Sequence, residues 1–391
     1  MKQDNRLIAL DVGRALAILG VIAAHLSAWV PGIPSWLSLL ATSGQYGVQL
    51  FFVISAITIC KTLSDEKRKG FDTRTLVRRF YLKRFLRIAP LYYVGIVVYG
   101  VLDQVAFKIF HAHALAPHTT WDVLANALFV HEFIPTAINS VVPGGWSIGV
   151  EMAFYLFAPA LIFMPRMRGR LWLTTTIMFC TSYGVLWIAK CHTGTNAIAN
   201  STFLYYWPPT QFPCFALGIF VWIHCKSRLL HEHTNIKLAL LTPFWIVIGY
   251  AAALAAGVGM NLSHAIAPVI AAGVGALILI FLASSPYLIK SFTIAQKLGE
   301  KSYGVYIWHF IGIFIVRIIL KILNMKPTEI SSILIFLLGM VFVSILAYSL
   351  SYITEYLIEK PISKWLKKIL LKDATHPRFD ANKLTTASAG E

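Results

Sequence analysis

Charge is what this chain has least of. Only 13% of its 391 residues are Asp, Glu, Lys or Arg, whereas 57% are hydrophobic. A soluble globular domain carries about twice that charge, so a polytopic membrane protein without a separate soluble domain is expected. Acids are scarcer still, 17 against 34 Lys and Arg, for a net charge of +17. In a soluble chain that surplus would suggest nucleic acid. Here membrane orientation accounts for it, and no nucleic-acid partner is expected. The five cysteines (Cys60, Cys180, Cys191, Cys214, Cys225) form no CxxC pair and read as isolated membrane-helix thiols. His111 and His113 lack a spaced carboxylate or a second cluster, so no metal site is expected. The first apolar segment lacks a small-x-small cleavage site followed by soluble sequence, and is read as retained rather than cleaved. A repeat of related halves is also missing, which weighs against an exporter or flippase of polysaccharide precursors, the alternative reading.

What is present is a series of apolar runs about twenty residues long. Ten spans are expected, near 7–30, 44–63, 88–107, 146–164, 171–189, 207–224, 239–258, 265–283, 302–320 and 331–353. The fold class is therefore all-α, a polytopic bundle over residues 1–372, with 373–391 a polar, disordered tail. With the N-terminus inside, 28 Lys and Arg fall on the inner side and 5 on the outer, Arg14 lying within a span. The positive-inside rule then puts both termini in the cytoplasm.

The first span, Leu7–Val30, carries Asp11, Arg14 and His25. Ionisable residues at membrane depth are costly and normally face a bundle interior or a wet cavity. Eleven residues separate Arg14 from His25, so both project from one stripe, ~20° apart and ~16 Å apart along the axis. Asp11, one turn before Arg14, can neutralise it in part. A buried ion pair with an interfacial histidine fits the same pattern.

After the second span comes the most basic stretch, in which Arg79, Lys83, Arg84 and Arg87 share one side of a helix. Such a face usually anchors to anionic membrane lipid. Alternatively, Arg84 and Arg87, one turn apart, clamp the phosphates of a nucleotide-like cosubstrate. The outer segment 108–145 is long enough for a partly embedded lid and ends in PGGWSIGVEMAFYL. There Trp146 reads as an interfacial belt residue, and Ser147 and Glu151 share a face. Three prolines (Pro208, Pro209, Pro213) predict a late or kinked start to the sixth span, and Pro361 an end to the last helix. Tyr303, Tyr306 and His309 step by threes down the ninth span.

Counting 1.5 Å per residue from the span ends gives depths. Arg14 lies ~10 Å and His25 ~27 Å from the inner end, Glu151 ~7 Å below the outer surface and His309 ~12 Å above the inner one. Two layers follow, Asp11, Arg14 and His309 in the inner half, and His25 with Glu151 in the outer third. A His–carboxylate pair near the outer mouth would suit general-base chemistry on a hydroxyl.

In order and spacing, six motifs resemble those of the acyltransferase-3 family of integral-membrane acyltransferases. LDVGRALAILGVIAAH carries its Arg-x10-His motif, FFVISA resembles FFxxSG with Ala56 in the place of glycine, and RFLRIAPLYY resembles RxxRIxPxY. WSIGVEMAFYLFAP, SYGVYIWH and IEKP resemble three later signatures. The resemblance implies an O-acyltransferase that moves an acyl group, commonly acetyl, from cytosolic acyl-CoA to a sugar hydroxyl across the membrane. Acetyl-CoA would then be a donor substrate, with no cofactor bound permanently. It implies donor phosphates on Arg84 and Arg87, and His25, Arg14 and Glu151 at the chemistry. Asp11, Ser147, Tyr306 and His309 would support them along a polar path. Direct transfer and an acyl-enzyme route both remain open, and the sequence sets no oligomeric state.

Overall fold

A computed structural model describes residues 5–110, 118–162, 167–193, 202–230, 247–249, 263–284, 291–324 and 328–374. Among these residues the chain is helical, without a strand. The helices run α1 (Asn5–Ser27), α2 (Ser35–Ser43), α3 (Gly47–Arg68), α4 (Thr73–Phe110), α5 (Thr120–Ala127), α6 (Trp146–Ile162) and α7 (Met167–Thr193). They continue as α8 (Thr202–Tyr206), α9 (Pro208–Leu230), α10 (Ser263–Ala283), α11 (Thr293–Glu300), α12 (Ser302–Leu323), α13 (Glu329–Thr354) and α14 (Lys360–Ala374). Six stretches of the described residues are long and apolar enough to cross a membrane: Ile8–Ser27, Ser35–Arg68, Thr73–Val105, Ile266–Ala283, Ser302–Leu323 and Glu329–Ile369. The expected helical bundle is present; six such segments are found among the described residues, which does not confirm the count of ten. Helices α6, α7 and α9 occupy the expected fourth, fifth and sixth spans. The expected 239–258 span, apart from 247–249, lies outside the described residues, as do His111, His113 and the tail from 375.

Helix α1 is the hub. Ala9, Leu10, Ala15, Ala17, Ile18, Val21, Ile22 and Leu26 are fully buried, and the helix packs against α2, α3, α10, α11, α12 and α13. Small side chains let its neighbours approach closely, which is how membrane helices associate without a hydrophobic drive. The tightest approach is that of α11. A Cβ on Gly299 would lie 1.8 Å from the Asp11 carbonyl oxygen, so only glycine lets α11 dock on α1 there. Because α11 delivers the chain to α12, α12 begins inside the bundle, with Ser302 buried.

Helices α3 and α4 form a hairpin closed by charge. Glu66, buried at the end of α3, accepts from Lys69 Nζ at 2.6 Å, Lys83 Nζ at 2.9 Å and Arg79 Nε at 3.0 Å. The basic stretch and the expected third span are one continuous helix through Pro90, with Arg79 and Lys83 paired inside the hairpin. Three other expectations are corrected. Trp146 is buried and stacks on Tyr206 with centroids 4.6 Å apart, because the preceding segment folds into the bundle. The sixth span does not start late: helix α9 starts at Pro208, since Pro208 and Pro209 occupy its first turn, where N–H groups have no helical partner anyway, and Pro213 lies inside it. Pro361 does not end the last helix. A π-helical turn, Glu355–Glu359, precedes α14, and Pro361 sits in the first turn of α14.

Gly299→Ala should lower the thermal midpoint in detergent by the equivalent of ~1–3 kcal/mol, because backbone rather than a flexible side chain must move. Gly184→Ala, on α7 with nothing within 4 Å, should be neutral or stabilising by up to ~1 kcal/mol. Equal midpoints for the two variants would contradict the α11–α1 contact.

Candidate active site

The site begins with the charge on α1. Arg14 donates from Nη1 to Asp11 Oδ1 at 2.5 Å and from Nη2 to Thr58 Oγ1 of α3 at 3.0 Å. One turn further along α3, Thr62 Oγ1 receives Nη2 of Arg84 at 3.0 Å. Arg84 is buried, with its guanidinium 5.5 Å from the ring centre of Tyr155 and 5.8 Å from that of Phe80. Arg87, one turn beyond, is exposed and makes no hydrogen bond or ion pair among the described residues. The three arginines line one cleft of about 680 Å³, whose other walls include Ser55, Ser147, Glu151, Tyr155, Tyr303 and Tyr306. At Arg87 and Tyr303 the cleft adjoins a second polar pocket that also holds Lys301, Glu355, Glu359 and Lys360.

Glu151 faces the arginines across this cleft. Its Oε1 accepts from Ser55 Oγ at 2.5 Å and also from the Tyr155 hydroxyl. It therefore belongs with Arg14, and the expected His25–Glu151 pair does not form. The titratable residue that does meet His25 is His309, with ring centroids 5.6 Å apart, while the Phe310 ring lies 4.6 Å from His25. The two expected layers thus exchange members. Depth counting assumed that both helices start at a membrane surface, whereas α6 and α12 start buried. Ser302 already lines the cleft beside Arg14, and His309 lies ~10 Å further along α12. Tyr306 sits between the two groups, accepting from Ser147 Oγ at 2.8 Å and donating to the Gly144 carbonyl at 3.0 Å. Of the residues singled out from sequence, Asp11, Arg14, Arg84, Arg87, Ser147, Glu151 and Tyr306 gather at or beside the cleft. His25 and His309 form a separate pair beyond its Tyr306 end.

Sequence reasoning missed Thr58, Thr62 and Tyr155. Each carries a readable signal, since Thr58 and Thr62 are four apart on one face and Tyr155 is four from Glu151. It also missed a buried group in the outer segment. His131 and Glu132 are both fully buried. His131 Nε2 donates to the Gly145 carbonyl at 3.0 Å, which leaves Nδ1 bare and 3.8 Å from Glu132 Oε2. Neither oxygen of Glu132 has a hydrogen-bond partner among the described residues. A Cβ on Gly149 would lie 2.3 Å from Glu132 Oε2, so the glycine of WSIGVEM makes room for this carboxyl. Burial pushes Glu132 up to about 7 and holds His131 below the usual imidazole value. The expected lid is thus packed into the bundle through His131 and Glu132, while His118 pairs with Asp103 at 3.0 Å.

The acyltransferase-3 family model, described as an acyltransferase domain, matches residues 7–352, and the chain belongs to this family. It is 26% identical over 332 residues to the peptidoglycan O-acetyltransferase OatA of Listeria monocytogenes, covering 77% of this chain and 48% of that protein. The O-acetyltransferase OatA of Staphylococcus aureus is 26% identical over 342 residues, covering 79% and 51%. A putative acetyltransferase, ORF330, of Acidianus two-tailed virus is 24% identical over 269 residues, covering 68% and 73%. The chain spans about half the length of the two OatA relatives. No solved structure matches it.

Glu132 makes stability depend on pH. Its folded value lies above the unfolded one, so its contribution is complete below about 4.5 and is lost as pH rises to about 7. His131, shifted down, acts in the opposite sense, losing stability as pH falls below ~6.5. Glu132→Gln removes the first effect alone. Its thermal midpoint relative to the native protein should climb between about pH 4.5 and 7 and stay level above. A difference independent of pH would show that Glu132 is not held protonated by burial.

Proposed function

We propose that this chain is a membrane O-acyltransferase that moves an acyl group, acetyl in the first instance, from cytosolic acyl-CoA to a sugar hydroxyl at the outer side of the membrane. The acceptor class is a surface polysaccharide or glycolipid, such as lipopolysaccharide O-antigen. Membership of the acyltransferase-3 family and the OatA relatives support acyl transfer to carbohydrate. The 28-to-5 charge asymmetry supports a bacterial cytoplasmic membrane with both termini inside.

The observation that carries this reading is the convergence of Arg14, Arg84 and Arg87 on one cleft, where two carboxylates, Asp11 and Glu151, offset only part of their charge. Guanidinium forks suit phosphate groups, and Arg87, exposed where the cleft meets the second pocket, is the first a nucleotide would meet. Arg14, deeper, can stabilise negative charge developing on the thioester oxygen. Glu151 acts as the cleft wall that holds Ser55 and Tyr155 in place. His25 serves as the base, since imidazole accepts a proton near neutral pH and guanidinium does not.

In reconstituted membranes, Arg84→Ala and Arg87→Ala should each raise the KM for acetyl-CoA with the protein still inserted. Arg14→Lys should keep part of the activity and Arg14→Ala none, because lysine restores charge without the planar fork. His25→Ala should retain donor binding but lose ~100-fold or more of transfer. The product is read as acylated glycan per inserted protein. Unchanged donor affinity with both Arg84 and Arg87 replaced would refute the phosphate clamp. Undiminished transfer by His25→Ala would refute the base.

A further inference from the structure

We propose that His309 is a positioning residue for His25: its bare Nε2 accepts an N–H from the His25 ring and so fixes which His25 nitrogen is free to act. The inference rests on reading His25 as the base, and goes beyond it by naming what orients that base.

His309 is fully buried, and its Nδ1 lies 2.6 Å from the carbonyl oxygen of Tyr306 in the preceding turn. A carbonyl only accepts, so Nδ1 carries the proton. In a neutral imidazole the other nitrogen is then an acceptor only. That nitrogen, Nε2, is buried without a hydrogen-bond partner among the described residues. A buried acceptor left unmet is destabilising, and its persistence calls for a function. Three rings surround His309. Phe310, 4.2 Å away between centroids, has nothing to donate. Tyr306, at 5.6 Å, already commits its hydroxyl to the Gly144 carbonyl. His25, also at 5.6 Å, makes no hydrogen bond among the described residues and has a ring N–H to give. Two imidazoles joined by an N–H···N bond of ~3 Å have centroids ~5.3 Å apart, close to the 5.6 Å found here, so the pair stands near bonding separation.

The chemistry gives this contact a use. The acceptor hydroxyl hands its proton to the free nitrogen of His25 as its oxygen bonds to the thioester carbon. The carbon–sulfur bond breaks, and the departing thiolate takes that proton from His25, leaving an ester and a thiol. Between those events His25 carries two N–H groups and a positive charge. Glu151 is engaged with Ser55 and Tyr155, so no carboxylate on the cleft wall meets the second N–H. The lone pair of His309 does. In this role a neutral histidine replaces the carboxylate that more often holds a catalytic imidazole.

Three substitutions separate positioning from packing. His309→Gln places an amide oxygen near the site of Nε2. His309→Asn keeps a polar atom near Nδ1 but nothing toward His25, and His309→Phe keeps ring volume alone. With the full chain in membranes, Gln should keep kcat within ~10-fold. Asn and Phe should each lose ~100-fold or more, with the KM for acetyl-CoA unchanged. An independent arm uses protein with 15N-labelled histidine. His25 should show one tautomer in the native protein and a mixture in His309→Phe. A kcat for Phe within a few-fold of native, or Gln no better than Asn, overturns the proposal, as does an unaltered His25 tautomer in the Phe variant. Turnover by His25→Ala instead overturns the base and leaves the tautomer arm to judge His309 alone.

Discussion

An arginine inside a membrane-spanning bundle has to be held, and the way Arg14 is held shapes everything around it. Full neutralisation would satisfy the charge but leave nothing for a ligand. A lone guanidinium in hydrocarbon would be too costly. Arg14 takes a middle course, with one carboxylate from its own helix, Asp11, and one neutral hydroxyl from α3, Thr58. Thr58 in turn donates to the Ile54 carbonyl, which aims its lone pairs at Arg14. The same device recurs a turn later, where Thr62 donates to the Thr58 carbonyl and receives Arg84. Two arginines are therefore fixed at successive turns of α3 by neutral hydroxyls, and of the two only Arg14 also meets a carboxylate, Asp11. The positive field of Arg84 survives in a medium where screening by water is weak, whereas that of Arg14 is partly offset by Asp11.

The rest of the basic stretch is sorted by a single acid. Glu66 closes the α3–α4 hairpin with Arg79, Lys83 and Lys69, which consumes those cations in structure. Arg84 and Arg87 lie beyond its reach and face the cleft. One helix face with four cations thus divides into a structural half and an open half. The division depends on where Glu66 sits in the opposing helix, which no periodicity of α4 contains.

That distinction marks how far the sequence could be read. Relations within one helix were legible: Asp11 with Arg14, Ser147 with Glu151 on one face, and Arg84 one turn from Arg87. Each needs only 3.6 residues per turn. Relations between helices were legible only as far as helix ends could be placed. Counting from assumed membrane surfaces put Glu151 near His25 and His309 near Arg14, because buried starts for α6 and α12 leave no compositional trace. The bond between Ser55 and Glu151, and the fit of Glu132 against Gly149, join segments whose approach is set by packing alone.

Helix α12 shows how one element ties the two polar groups together. Tyr303, Tyr306 and His309 are three apart, and each step turns the side chain back by ~60° around the axis. The three therefore face different neighbours instead of stacking in one row. Tyr303 donates to the Ile88 carbonyl of α4 at 2.7 Å, Tyr306 meets Ser147 at the start of α6, and His309 meets His25 on α1. The first two line the cleft with the arginines, and the third lies beyond it. A rigid helix joined to three others at successive turns fixes the distance between the arginine cleft and the histidine pair. The histidine end cannot shift without straining the hydrogen bonds of Tyr303 and Tyr306 at the cleft.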